Sequence, residues 1–300
     1  MRPLPRLFID TLELTIAIEE QRQQHVQERL EHASECLGSN LIEQPARGRY
    51  SFRYALSTPN GGVITIQSQP TWRRGNYLKL EYSPEKIGPE GAELLAEYLS
   101  AILGPTYRED FYQGYVSRID VTFDTHRVSL DDFWISDSRA RMKCALIRGK
   151  CSRIETIYLG YRATRQLYVY DKPQQIRDNG GHTRNAIPWV RFEYRCRKAD
   201  YPLIDLYRRM KNPYDNFVVR RYAPLPDLMP DFQARLLFDA CRLRGKQGLL
   251  NSISEEEREG VETAIRAFPY STIFQRRSAI WAQLRDRIDE LLPDINSDLL

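Results

Sequence analysis

One order of strands and helices occurs twice along this chain, and that repetition constrains the fold more than any other feature. "RLFIDTLELTIAI" alternates apolar with polar residues, as a strand with one buried face does. The polar, helix-forming run "AIEEQRQQHVQERLEHASECLG" follows, closed by Gly38. "RYSFRYAL" and "VITIQSQ" then read as two strands joined by the turn "STPNGG". "NYLKLEYS" is a further strand, and "GPEGAELLAEYLSAILG" an amphipathic helix ending at Gly104.

The series then restarts. "GYVSRIDVTFD" is a strand, and "SLDDFWISDSRARMKCALI" reads as a helix with Ser129 as N-cap and Asp131 and Asp132 in its first turn. "IETIYLG" and "RQLYVYDK" are strands joined by the turn "YRAT", "PWVRFEYRCRK" is a strand and "DYPLIDLYRRMK" a helix. Both series run β-α-β-β-β-α, and "FIDTLEL", "ITIQSQP" and "YLKLEYS" parallel "RIDVTFD", "LYVYDKP" and "VRFEYRC". Asp10 thereby matches Asp120, Gln67 matches Tyr170 and Glu81 matches Glu193. The expected fold is α+β: two pseudo-repeated antiparallel sheet units of RNA-recognition type, helices on one face, with a C-terminal helical segment. The expected domains are 1–104, 105–222 and 223–300. In the last, Ser254 and Glu257 form a capping box, and Ile273 to Leu291 carry apolar residues at helical spacing.

Composition narrows the class. With 42% hydrophobic and 28% charged residues the chain can build a globular core. No stretch approaches the about 20 apolar residues of a membrane span, and the first residues hold no signal-peptide block, so a cytoplasmic protein is expected. Five scattered cysteines without a CxxC argue against a disulfide framework or a zinc ribbon. Net charge is +4, but arginine is dense between residues 139 and 222, which suits contact with phosphates.

Strand parity places candidate chemistry. In "RIDVTFD" the apolar set Ile119, Val121 and Phe123 should face the helices, leaving Arg118, Asp120, Thr122 and Asp124 on the open face. Val190 and Phe192 likewise leave Arg191, Glu193 and Arg195, and Leu167 and Val169 leave Gln166, Tyr168, Tyr170 and Lys172. Carboxylates from neighbouring strands suit a hard cation, Mg²⁺ or Mn²⁺. A tyrosine beside them is a candidate nucleophile, with arginine and lysine for phosphates and aromatics for stacking unpaired bases. Parity alone does not separate Tyr168 from Tyr170.

"RIDVTFD", "ETIYLGYRATRQLYVYDK" and "WVRFEYR" resemble the ordered motifs of the replication initiation factor family, the rolling-circle initiators of plasmids and filamentous phages and related relaxases. Its motifs are Arg-Ile-Asp, then Thr-Ile-Tyr-hydrophobic-Gly-x-Arg, then a strand ending Tyr-(Asp/Asn)-Lys, then Arg-hydrophobic-Glu. The resemblance implies a metal-dependent nicking-joining enzyme whose tyrosine becomes 5′-phosphotyrosyl-linked at a replication origin. It implies Tyr170 as nucleophile with Lys172 beside it, and Asp120, Glu193 and Asp124 as metal ligands. Arg118, Arg162, Tyr168, Arg191 and Arg195 would contact DNA. One nick per tyrosine needs a second protomer or a turnover step to close the circle, so a homodimer is an expected partner, and a host helicase another. The chain departs from the family in the "Pro-Gln-Gln" that follows Lys172, and His25, His32, His126 and His182 form no His-hydrophobic-His motif. The first unit, with Gln67 in place of Tyr170, should be non-catalytic. The competing reading is a single-strand-binding or regulatory protein on the same fold.

Overall fold

Alternating strands need hydrogen-bonded neighbours and a cover for the apolar face. In the computed structural model both needs are met; residues 4–36, 41–45, 50–71, 77–137, 144–148, 154–161, 164–183 and 187–293 are described. The strands are β1 (Leu7–Ala17), β2 (Leu41–Gln44), β3 (Tyr50–Ser57), β4 (Val63–Pro70), β5 (Tyr77–Tyr82), β6 (Tyr115–His126), β7 (Phe133–Asp137), β8 (Cys144–Arg148), β9 (Ile154–Tyr161), β10 (Arg165–Asp171), β11 (Trp189–Pro202) and β12 (Phe217–Arg221). The helices are α1 (Glu20–Cys36), α2 (Pro84–Leu103), α3 (Tyr107–Gln113), α4 (Lys172–Asp178), α5 (Leu206–Arg209), α6 (Asp231–Leu250), α7 (Glu255–Ala267), α8 (Thr272–Gln275), α9 (Arg277–Ala282) and α10 (Leu284–Asp289). The chain is α+β, with a large antiparallel sheet of ten strands.

Contacts divide the chain into two compact units that cut it differently from a division by sequence repetition. One, here the N-terminal unit, comprises Leu7–Thr122 and Arg195–Lys211 with the chain from Gln283 onward; the other, the central unit, is built mainly of Phe123–Tyr194 and Asn212–Ala282. The long strands β6 and β11 each contribute residues to both.

In the N-terminal unit the strand order is β2-β3-β4-β5-β1. The hairpin β3–β4 closes where expected, with Ser57 opposite Val63 and a hydrogen bond from Gly61 N to Thr58 O. Leu12, Leu14, Ile16, Leu78, Leu80, Ile64 and Ile66 are fully buried on one face, and α2 packs there against β1 and β4. That helix breaks after its first turn at Gly88, whose φ of 63° lies in the left-handed region that glycine adopts without strain, just before Pro89.

In the central unit the order is β8-β9-β10-β11-β6. Of the expected helix from Ser129 to Ile147, residues 138–143 lie outside the described residues, and no described residue is α-helical. The capping box of Ser129 and Asp132 forms, but it caps one 3₁₀ turn, Leu130–Asp132. The chain then extends as β7, which pairs with β12 in a separate two-stranded sheet, and later as β8 beside β9. Tertiary pairing wins because Phe133, Trp134 and Ile135 are consecutive apolar residues that all find buried positions.

The apolar face of this unit is therefore covered differently. Phe123 and Phe192 stack at 5.0 Å, and Tyr214 and Phe274 close over them. Trp134 packs with Phe238, Cys241, Ile265 and Phe268 of α6, α7 and the segment beyond. Arg242 donates to Phe133 O at 3.0 Å and bridges Asp131, and Arg220 of β12 donates to the carbonyls of Arg266 and Phe268. The helical spacing from Ile273 to Leu291 is spread over three short helices, α8 to α10. Its apolar residues serve different partners: Phe274 and Trp281 pack in the central unit, whereas α10 belongs to the N-terminal unit.

Candidate functional site

The polar face of the central unit is set by register. Tyr168 of β10 lies opposite Tyr158 of β9, and Tyr170 opposite Thr156. Tyr170 is the last polar-face residue of its strand, because the next one, Asp171, turns the chain into α4 by accepting a hydrogen bond from Gln174 N at 3.0 Å. The "Asp-Lys-Pro" at the end of the strand "RQLYVYDK" is thus a helix start.

The Tyr170 hydroxyl donates to Glu193 Oε2 at 3.0 Å, with both side chains buried (7% and 5% exposed). Lys172 Nζ stands 5.8 Å from the centre of the Tyr170 ring and donates to Gln175 Oε1 at 2.7 Å. On the same face Arg191 holds Asp124 with two hydrogen bonds of 2.7 and 2.8 Å. Such a fork-to-fork pair is directional and charge-assisted, so it fixes both side chains across two strands. Tyr158 and Tyr168 meet edge to face with ring centres 4.8 Å apart, and His126 lies 5.5 Å from Trp189.

The expected site residues thus fall into two groups. Tyr170, Glu193, Lys172, Asp124, Arg191 and Tyr168 belong to the central unit. Asp120, Arg118 and Arg195 belong to the N-terminal unit. There Asp120 is fully buried and accepts from Arg118 Nε at 3.0 Å and Arg195 Nε at 2.9 Å. Glu13 adds a contact to Arg118 at 3.5 Å and an ion pair with Lys79 at 2.8 Å. Burial works against the charge of Arg118, but its hydrogen bonds with Asp120 and the fields of Asp120 and Glu13 prevail and raise its pKa. Arg162 lies outside the described residues.

Tyr214 sits with Phe123 on the apolar side of the unit. It is fully buried against Phe123, Phe274 and Trp281, and desolvation, and after it the negative charge of Glu193, pushes its pKa well above the ordinary phenol value. Among the described residues no three His, Cys, Asp or Glu side chains gather as a metal-holding group. Among them, too, no helix is long and apolar enough to cross a membrane. Sequence reasoning missed Tyr158, although the turn that sets Tyr161 opposite Arg165 also sets Tyr158 opposite Tyr168.

Chemically, the arrangement couples a phenol to a buried carboxylate, with cations and paired aromatic rings along one sheet face. No protein-family model matches the chain, and no curated protein matches it.

Proposed function

We propose that the protein is a DNA nicking-joining transesterase that initiates rolling-circle replication on a plasmid or phage-type origin, with Tyr170 as nucleophile. The observation that carries this is the buried hydrogen bond from the Tyr170 hydroxyl to Glu193 at 3.0 Å. A carboxylate in that position takes the phenolic proton as the oxygen attacks phosphorus. The bond from phosphorus to the 3′-oxygen breaks, the 3′-oxygen leaves as a hydroxyl after gaining a proton, and the 5′-phosphate stays on Tyr170. Lys172 and Arg191 supply positive charge for the phosphates. Religation runs the same step backwards.

Glu193 and Asp124 are oxygen donors of the kind Mg²⁺ and Mn²⁺ take, and we propose them as ligands. Bound there, the ion would stabilise charge on the phosphate. Asp124 would first have to exchange its hydrogen bonds with Arg191. The wider reading is a cytoplasmic initiator acting as a homodimer with a host helicase. Its fold would be a duplicated unit of RNA-recognition type, in which the copy that carries Gln67 is non-catalytic. The matching strand orders β2-β3-β4-β5-β1 and β8-β9-β10-β11-β6 support the duplication.

A second reading, a single-strand-binding protein without catalysis, is favoured by one observation: Asp120 and Asp124 are both engaged by arginines. The test is incubation with a degenerate single-stranded oligonucleotide library and Mg²⁺ or Mn²⁺. The nicking reading expects a protein–DNA adduct and its loss in Tyr170→Phe. Binding without any adduct selects the second reading.

A further inference from the structure

The β9–β10 ladder carries three consecutive cross-strand pairs on the face of Tyr170: Tyr170 with Thr156, Tyr168 with Tyr158, and Gln166 with Gly160. Their chemistry changes in order along the strands. First comes the phenol hydrogen-bonded to Glu193, then two rings in edge contact, then a carboxamide facing a residue with no side chain. Gln166 is 9% exposed, and its Oε1 is buried with no hydrogen-bond partner among the described residues. An unsatisfied buried acceptor costs stability unless something fills it. Gly160, at φ 109°, holds a backbone conformation that side chains disfavour, and it sets no side chain opposite Gln166.

From this we infer that Tyr158, Tyr168 and Gln166 form a base subsite, which takes one unpaired nucleobase next to the phosphate at Tyr170. A base stacks on the half-buried tyrosine pair, and Gln166 Oε1 accepts from an exocyclic amino group. The subsite therefore selects adenine or cytosine over thymine, which offers only oxygen acceptors and a methyl group at those positions. Successive same-face residues are about 6.8 Å apart along a strand, so ring pair and phenol are spaced to meet adjoining parts of one extended nucleic-acid strand.

The other unit provides an internal control. Its strand β4 has Gln67 where β10 has Tyr170, and two residues earlier Thr65 lies opposite Ala55, where the central unit has Tyr168 opposite Tyr158. The ring pair and the phenol are thus present together in one unit and absent together from the other. The Asp120 side of the molecule, by contrast, is closed by its own ion pairs.

The inference rests on the nicking reading only for the address of the base, beside the reacting phosphate. Binding is therefore measured in the Tyr170→Phe background, by fluorescence anisotropy with end-labelled dA, dC and dT decamers. The subsite expects dA and dC to bind more tightly than dT. It expects Tyr158→Leu and Tyr168→Leu to weaken binding by about ten-fold or more while the Phe variants stay near the parent. Gln166→Leu should bring the three decamers to the same affinity. Leu variants that bind like the parent, or a parent that binds no decamer, overturn it. Should the Leu variants not fold, the decamer preference of the parent and its loss in Gln166→Leu decide. If Tyr158→Leu loses binding but the wild type never forms an adduct, the subsite stands and the nicking reading falls. If the adduct forms and Tyr158→Leu binds normally, the reverse holds.

Discussion

The two units share a strand order and differ in what they lay on each face. In the N-terminal unit helices cover an aliphatic sheet, and the polar side is spent on ion pairs: Lys79 with Glu13, Arg118 with Glu13 and Asp120, Arg195 with Asp120. In the central unit an aromatic core is covered by β7, β12 and the helical tail, and the polar side holds Tyr170 on Glu193 beside a tyrosine pair. One strand framework can thus carry a network of ion pairs on its polar side or a buried phenol–carboxylate pair beside two tyrosine rings. The change is made at Gln67 against Tyr170 and at Ala55 and Thr65 against Tyr158 and Tyr168.

The largest effect expected from this contrast is on reaction. Tyr170→Phe should remove covalent adduct altogether, while Gln67→Ala, at the matching position of the other unit, should leave it unchanged in a denaturing-gel assay. Loss of adduct in both would erase the distinction.

Next come the buried anchors of each unit. Phe192→Ala opens a hole under the stack with Phe123 and should cost about 3–5 kcal/mol in denaturant unfolding. Asp120→Asn leaves two guanidinium groups short of their buried counter-charge and should cost a similar amount, about 3–5 kcal/mol. If Asp120→Asn is neutral, the claim that ion pairing closes the N-terminal unit is wrong.

The smallest effect lies in the tail. Ser254→Ala removes the cap of α7 and should cost about 1 kcal/mol. Hydrogen bonds from the Ser254 side chain and backbone lower the pKa of Glu257 below the ordinary carboxylate value. Its folded pKa lies below its unfolded one, so the contribution is present above the unfolded pKa and fades as pH falls through the folded value. Thermal unfolding of wild type and Glu257→Gln should differ at neutral pH and converge in acid.

Much of this architecture was readable before any coordinates. Alternation marks β1, and the turns "STPNGG" and "YRAT" mark β3 with β4 and β9 with β10. Parity also assigned Tyr168, Tyr170, Glu193, Arg191 and Asp124 to one face. It did not assign β7, since local capping signals at Ser129 and Asp132 mimic a helix start while the pairing with β12 comes from residues 80 to 88 positions away. The short strands β2 and β8 carry too few residues to display a period. Nor could parity tell which arginine meets which carboxylate. Arg191 takes Asp124 and Arg195 takes Asp120 because of cross-strand geometry that exists only once the strands are aligned.

In the proposed reaction Tyr170, and no other tyrosine, carries the DNA. Digestion of the adduct and mass spectrometry of the nucleotide-bearing peptide should find a 5′-linked nucleotide on Tyr170 alone. A nucleotide on Tyr168 or Tyr158, or no modified peptide from protein that binds single strands, would contradict it.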